Sequence, residues 1–176
     1  MTATTEVYKR NAEFAETFKA DDLPPFPKMG AAILTCLDPR VDPAHVLGVG
    51  LGDAVVIRNT GGRVTDSVID DLAALGHLAQ LASGKDEPPF ELLVIQHSDC
   101  GAELFAKPDF REGLLAKTGV DVSEIAITDH DEDLRRDLER LRKDPRVPKY
   151  ITASAHMYHV ESGKLRQVEG PARLDA

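Results

Sequence analysis

Tryptophan is absent from this 176-residue chain, and cysteine nearly so: Cys36 and Cys100 are the only two. Two cysteines cannot build a disulfide framework, and a reducing cytosol disfavours even a single bridge. Positive charge is also short. The chain has 21 Lys and Arg against 30 Asp and Glu, a net charge of -9, with no basic stripe. That balance argues against nucleic acid as a partner. No segment approaches the roughly 20 apolar residues of a membrane span. The N-terminus lacks the apolar run of a signal peptide, and Glu6, Glu13 and Glu16 do not suit a transit peptide. There is no internal repeat and no low-complexity tract. The expected location is the cytoplasm, without membrane association.

What is present fits one globular domain: 42% apolar and 29% charged residues, on a chain long enough for its own core. Residues 5–18 read as an amphipathic helix with Tyr8, Phe14 and Phe18 among its apolar positions. The proline-rich stretch Leu23-Pro24-Pro25-Phe26-Pro27 ends it. Residues 1–27 are therefore expected to form a helical arm with little of its own to pack on, lying across a partner subunit. Residues 28–176 form the main domain. Short apolar runs at 31–36 (AAILTC), 54–58 (AVVIR) and 92–97 (LLVIQH) read as buried strands. A helix is predicted over 66–82, its stripe made of Val68, Leu72, Leu75 and Ala79 and widened by Leu78. A second is predicted over 129–143 on Leu134, Leu138 and Leu141. Strands at 151–160 and 165–168 close the chain around a turn at 161–164. Strands alternating with helices give an α/β class fold, a mostly parallel sheet flanked by helices with a C-terminal hairpin.

Ligands in such sheets bind beyond the carboxyl ends of the strands. Cys36 ends the first run and His97 the third, with Cys100 three residues on. Two buried small cysteines would be an ordinary finding, and a histidine ending a strand equally so. Together they offer two thiolates and an imidazole, a set that suits zinc. Structural zinc sites usually use four protein ligands, whereas catalytic ones use three and leave a position for water. No third cysteine and no second Cys-x-x-Cys or Cys-x-x-His pair exists, so the inventory favours an open, catalytic site.

The sequences Cys36-Leu37-Asp38-Pro39-Arg40 and His97-Ser98-Asp99-Cys100-Gly101 resemble the two signature motifs of the β-class carbonic anhydrases. Arg58-Asn59-Thr60-Gly61-Gly62 is similar to the glycine-containing loop after that family's second strand. The resemblance covers roughly 31–168. It implies zinc held by Cys36, His97 and Cys100, a catalytic dyad of Asp38 and Arg40, and a dimer embraced by the N-terminal helix. It implies reversible hydration of carbon dioxide to bicarbonate and a proton by zinc-bound hydroxide. Zinc lowers the pKa of a bound water towards neutrality, an effect for which carbonic anhydrase is itself the usual example. Asp38 would accept a hydrogen bond from the nucleophile, and Arg40 would hold Asp38. Gly61 and Gly62 either let backbone approach the substrate site or make an ordinary tight turn.

Several points stay open in the sequence. Asp99 either supports the ligands as an acceptor or caps the following helix. His45 either shuttles protons or is a surface residue. His77 and His130 read as structural or solvated. Pro39 and Thr60 depart from the residues common in the family, and the lack of tryptophan counts against a second bicarbonate site known in some members. Lys28 is a weak counterpart of a glutamine found in plant-type members. The family also contains hydrolases of carbonyl sulfide and carbon disulfide, which the ligand motifs do not separate. A non-enzymatic zinc or thiol sensor is the remaining alternative, and the presence of both Asp38 and Arg40 argues against it.

Overall fold

Short apolar runs set the frame. In the computed structural model, which describes residues 2–20 and 23–176, Ala31–Cys36 forms β1, Val55–Asn59 forms β2 and Glu91–His97 forms β3. All six residues of β1 are buried, as expected for a strand with a neighbour on each side and side chains packed above and below. Thr152–His159 (β4) and Lys164–Arg173 (β5) complete one sheet of order β2-β1-β3-β4-β5. The pairings among β1 to β4 are parallel, and β5 runs antiparallel to β4. β5 continues past its expected end at Val168, because its ladder with β4 resumes beyond an irregularity near Ala153 and Ala155. β1 and β3 are direct neighbours with Leu34 opposite Val94 and Thr35 opposite Ile95. Their ends, Cys36 and His97, therefore emerge side by side.

The first helix, α1 (Ala3–Thr17), starts on Thr2, whose side chain accepts from the Thr5 N–H, and buries none of its residues. Val7, Tyr8, Phe14 and Phe18 are all exposed, and the rings of Phe14 and Phe18 lie 5.1 Å apart. A short α2 (Pro43–Val46) follows β1. α3 (Asp66–Ser83) starts on a Thr65 cap and stops at Gly84 in the left-handed region. Its buried stripe is Val68, Ile69, Leu72, Gly76 and Ala79. Leu75 is half-buried and Leu78 is exposed, so the predicted stripe was rotated by part of a turn. The reason is Gly76, which sits so close to Pro148 that an added Cβ would come within 2.4 Å of its ring. α4 (Pro108–Thr118) buries nothing and so left no apolar period to read. α5 (His130–Lys143) is capped by Asp129, acidic in its first turn and basic in its last, and buries Leu134, Leu138 and Leu141 as predicted.

The two faces of the sheet are unequal. Ala32, Leu34, Leu92, Val94 and Ala153 pack with α3 and α5 into the main core. Ile33 and Ile95 belong to a smaller cluster with Val41, Ala102, Ile127 and Tyr158, together with Cys36 and Cys100. That second face is covered by loops and short helical turns rather than by a long helix. No helix among the described residues is long and apolar enough to cross a membrane.

Candidate metal centre

The parallel pairing of β1 with β3 delivers Cys36 and His97 to one edge, and the turn after β3 brings back Cys100. The two sulfurs and a histidine nitrogen lie within 4.8 Å of one another, and all three residues are buried. The sulfurs are 3.9 Å apart. His97 Nδ1 lies 2.9 Å from the Ser98 carbonyl, which fixes the proton on that nitrogen. The other nitrogen, Nε2, is fully buried and has no hydrogen-bond partner. A buried nitrogen lone pair facing two sulfurs is costly unless something is coordinated there. The donor set and the orphaned nitrogen both fit a zinc ion.

The protonation of the pair agrees. The Cys36 thiol is pulled down to about 4, chiefly by a hydrogen bond from Cys100, with His97 and the backbone N–H groups of Asp38 and Gly61 acting in the same sense against burial. The Cys100 thiol is pushed up by its bond to Cys36 and by burial. The protein alone thus favours one thiolate, and a cation between the sulfurs would favour two. Burial works against a charged His97, but Cys36, the Ser98 carbonyl and Asp38 outweigh it and raise its pKa.

Asp38 and Arg40 sit above this cluster on the 3-10 turn Pro39–Val41. Asp38 caps that turn by accepting from the Arg40 N–H at 2.8 Å. Arg40 Nε and Nη2 donate to Oδ1 and Oδ2 of Asp38 at 3.0 and 2.8 Å. These bonds hold the Asp38 carboxyl down at about 2. Asp38 Oδ2 is 4.0 Å from His97 Nε2. Pro39 occupies the first position of the turn, where no backbone donor is needed.

Gly61 and Gly62 have φ of +80° and +61°. The Gly61 N–H donates to Cys36 Sγ at 3.3 Å. A Cβ on Gly62 would meet Cys36 N and Thr35 C at 3.0 Å and Ile95 O at 2.9 Å. The turn is left-handed, and it brings backbone against a sulfur of the cluster. His45 is exposed on α2, and His77 is exposed on α3.

Several contributors were not legible in the sequence. Arg58 donates to the carbonyls of Cys36 and Asp38 at 3.0 and 2.7 Å and to Asp42 at 2.8 Å, pinning the loop after β1. Arg63 is buried and forms a fork with Asp137 of α5, at 2.8 and 3.1 Å. Asn59 clasps the Arg63 backbone at both its N–H and its carbonyl, so α5 steadies the glycine turn. Glu103 accepts from the Cys100 N–H at 3.1 Å, and His130 bridges Glu103 to Gln96. This gives His130 the structural place expected for it. The Arg63–Asp137 pair joins residues 74 positions apart, and no local pattern around either marks it.

The chain has well-defined relatives. Residues 31–165 match the family model described as carbonic anhydrase. "Beta-carbonic anhydrase 1" of Mycobacterium tuberculosis is 35% identical over 170 residues, spanning 96% of this chain and 99% of the relative. A carbon disulfide hydrolase of Saccharolobus solfataricus is 33% identical over 162 residues, spanning 77% of this chain and 75% of the relative. Among solved structures, a carbonic anhydrase from Streptococcus mutans superposes with a TM-score of 0.80 at 35% identity, covering 96% of this chain and 99% of that one. Fold, ligand geometry and sequence relatives converge: this chain belongs to the β-carbonic anhydrase family.

Proposed function

We propose that the chain catalyses the reversible hydration of carbon dioxide to bicarbonate and a proton, with zinc held by Cys36, His97 and Cys100. One observation carries this reading. The buried Nε2 of His97 faces two sulfurs without a partner, and an Arg40-held carboxylate oxygen stands 4.0 Å away. Zinc so held supplies Lewis-acid activation of water near neutral pH.

The residues of the chain do the rest. Asp38, kept at about 2 by Arg40, is ionised at any working pH and acts only as an acceptor. It orients the O–H of the attacking water so that a lone pair is directed at the substrate carbon. Two thiolate donors place more negative charge at the centre than imidazoles would, which makes water harder to ionise. Gly61 and Gly62 are assigned to the substrate's approach, supported by their backbone lying against Cys36.

Hydrolysis of carbon disulfide or carbonyl sulfide uses the same attack on a linear heterocumulene. The relatives named for carbon disulfide match about three quarters of their own length, against nearly all of the M. tuberculosis relative, which favours carbon dioxide. Zinc content and carbon dioxide hydration measured on one purified sample, with carbonyl sulfide and carbon disulfide in parallel, decide between them. Faster turnover of either sulfur substrate than of carbon dioxide would overturn the assignment. A sensor without catalysis would have no use for the Asp38–Arg40 arrangement.

The working form is a homodimer, with residues 1–27 as an arm on the other subunit. The support is the exposed apolar set Val7, Tyr8, Phe14 and Phe18 on a helix that buries none of its residues in its own chain. A reducing cytoplasm suits the pair of free thiols.

A further inference from the structure

Arg40 does not serve Asp38 alone. While Nε and Nη2 donate to the Asp38 carboxylate, Nη1 donates to Asp99 Oδ2 at 2.7 Å and Nη2 to the Asp99 carbonyl at 2.9 Å. The guanidinium fork is shared between two aspartates, one on the loop after β1 and one on the loop after β3. Asp99 sits between His97 and Cys100 in the chain, and among the described residues it is the one non-glycine with positive φ, at +56°. Few L residues hold that conformation, and aspartate tolerates it better than most. In it, the carbonyl and carboxylate of Asp99 face the same guanidinium.

Arg40 needs the second anchor. Its side chain is 43% exposed, and Asp38 is only two residues away. A pair of that kind, on a long flexible stem in contact with water, holds its geometry weakly. Donation along two edges of the planar fork fixes the plane, and a fixed plane fixes the carboxylate it carries. The bond also ties the two loops that supply the metal ligands.

We propose that Asp99 is a positioning residue for the reaction, acting through Arg40 to hold the Asp38 carboxylate over the Cys36, His97 and Cys100 cluster. This rests on the reading of Asp38 as the acceptor for the attacking water. It assigns Asp99 no contact with substrate and no proton to carry.

Three variants separate the possibilities. Asp99→Gly keeps the left-handed backbone and its carbonyl but removes the carboxylate. Asp99→Asn keeps an acceptor and the backbone preference but removes the charge. Arg40→Ala removes the partner. Two readouts are taken on the zinc-loaded protein: kcat and KM for carbon dioxide hydration, and solvent exchange of the Arg40 Nε–H by 15N-resolved NMR, the signal assigned by its loss in Arg40→Ala. Asp99→Gly is expected to speed that exchange and to lower kcat about fivefold at unchanged KM and zinc content, the size of one ordinary hydrogen bond, as suits a contact whose aspartate is largely exposed. Asp99→Asn is expected to restore most of both. In the Arg40→Ala background, Asp99→Gly should change kcat no further. Wild-type exchange and kcat in Asp99→Gly, or effects of the two substitutions that multiply, would overturn the proposal. The exchange measurement needs no substrate. A wild type that hydrates no carbon dioxide, yet whose Arg40 exchange depends on Asp99, would sink the functional reading and not the tether.

Discussion

A methyl group at Gly62 is the sharpest test of how the glycine turn and the sulfur cluster are joined. The added Cβ would lie 2.9 Å from Ile95 O and 3.0 Å from Cys36 N and Thr35 C. All three are main-chain atoms of β1 and β3, which cannot swing aside as a flexible side chain would. The turn must move instead. Two costs add: about 1–2 kcal/mol for an L residue at φ of +61°, and about 1–3 kcal/mol for overpacking. Gly62→Ala is therefore expected to destabilise the fold by about 2–5 kcal/mol, or at least about 4 °C in melting temperature for a chain of this size. Two controls isolate the terms. Gly84 has φ of +66° with nothing within 4 Å, so Gly84→Ala should show the backbone cost alone. Gly101 has neither a positive φ nor a close neighbour, so Gly101→Ala should be close to neutral in stability. Thermal and urea unfolding of the three variants at one protein concentration gives the ranking. The displaced turn also takes the Gly61 N–H away from Cys36 Sγ, so the Cys36 thiol of the metal-free Gly62→Ala protein should titrate higher than in the wild type. A Gly62→Ala protein as stable as Gly101→Ala would refute the packing argument.

Three further outcomes are expected. Cys36→Ser, His97→Ala and Cys100→Ser should each lose zinc and carbon dioxide hydration together; Cys100→Ser with full zinc and full turnover, by elemental analysis and stopped flow, would dismiss the proposed centre. Light scattering at micromolar concentration should give a dimer, and Phe14→Glu with Val7→Glu should shift it towards monomer; a monomeric wild type contradicts the arm. Burial lowers the pKa of His156 below its ordinary 6.5, so the unfolded chain takes up that proton first as pH falls; its contribution is complete above 6.5 and is lost below it. The fall in urea midpoint between pH 7.5 and 5.5 should accordingly be smaller in His156→Gln than in the wild type, and an equal fall in both would show that His156 takes no part.

Much of the site was legible because its chemistry is local. Cys36 and His97 end runs whose burial is visible as unbroken apolar sequence, and the strand ends place them. Asp38 and Arg40 lie within four positions of Cys36. What escaped is what depends on distant pairing. Nothing near Asp99 in the chain shows that it meets Arg40, and nothing near Arg63 shows that it meets Asp137. The α3 stripe departs from the predicted one at Leu78 because Gly76 is the buried contact, and a glycine carries no apolar signal. α4 left no signal because it buries none of its residues, its Phe110 only stacking on Phe105 of the preceding turn.

The placement of the ligands on separate strands has a consequence for the order of assembly. Cys36 and Cys100 stand 64 positions apart, joined through a parallel β1–β3 pairing that spans β2 and α3. Contacts of such sequence separation form late, after much chain entropy has been given up. Before that, a nascent chain can offer zinc only the two-donor chelate of His97 and Cys100. The full three-donor grip exists only once the central sheet has closed. Metal uptake during refolding should therefore report completion of the sheet rather than initiate it, and zinc should leave when β1 and β3 part, however much of α5 is still wound.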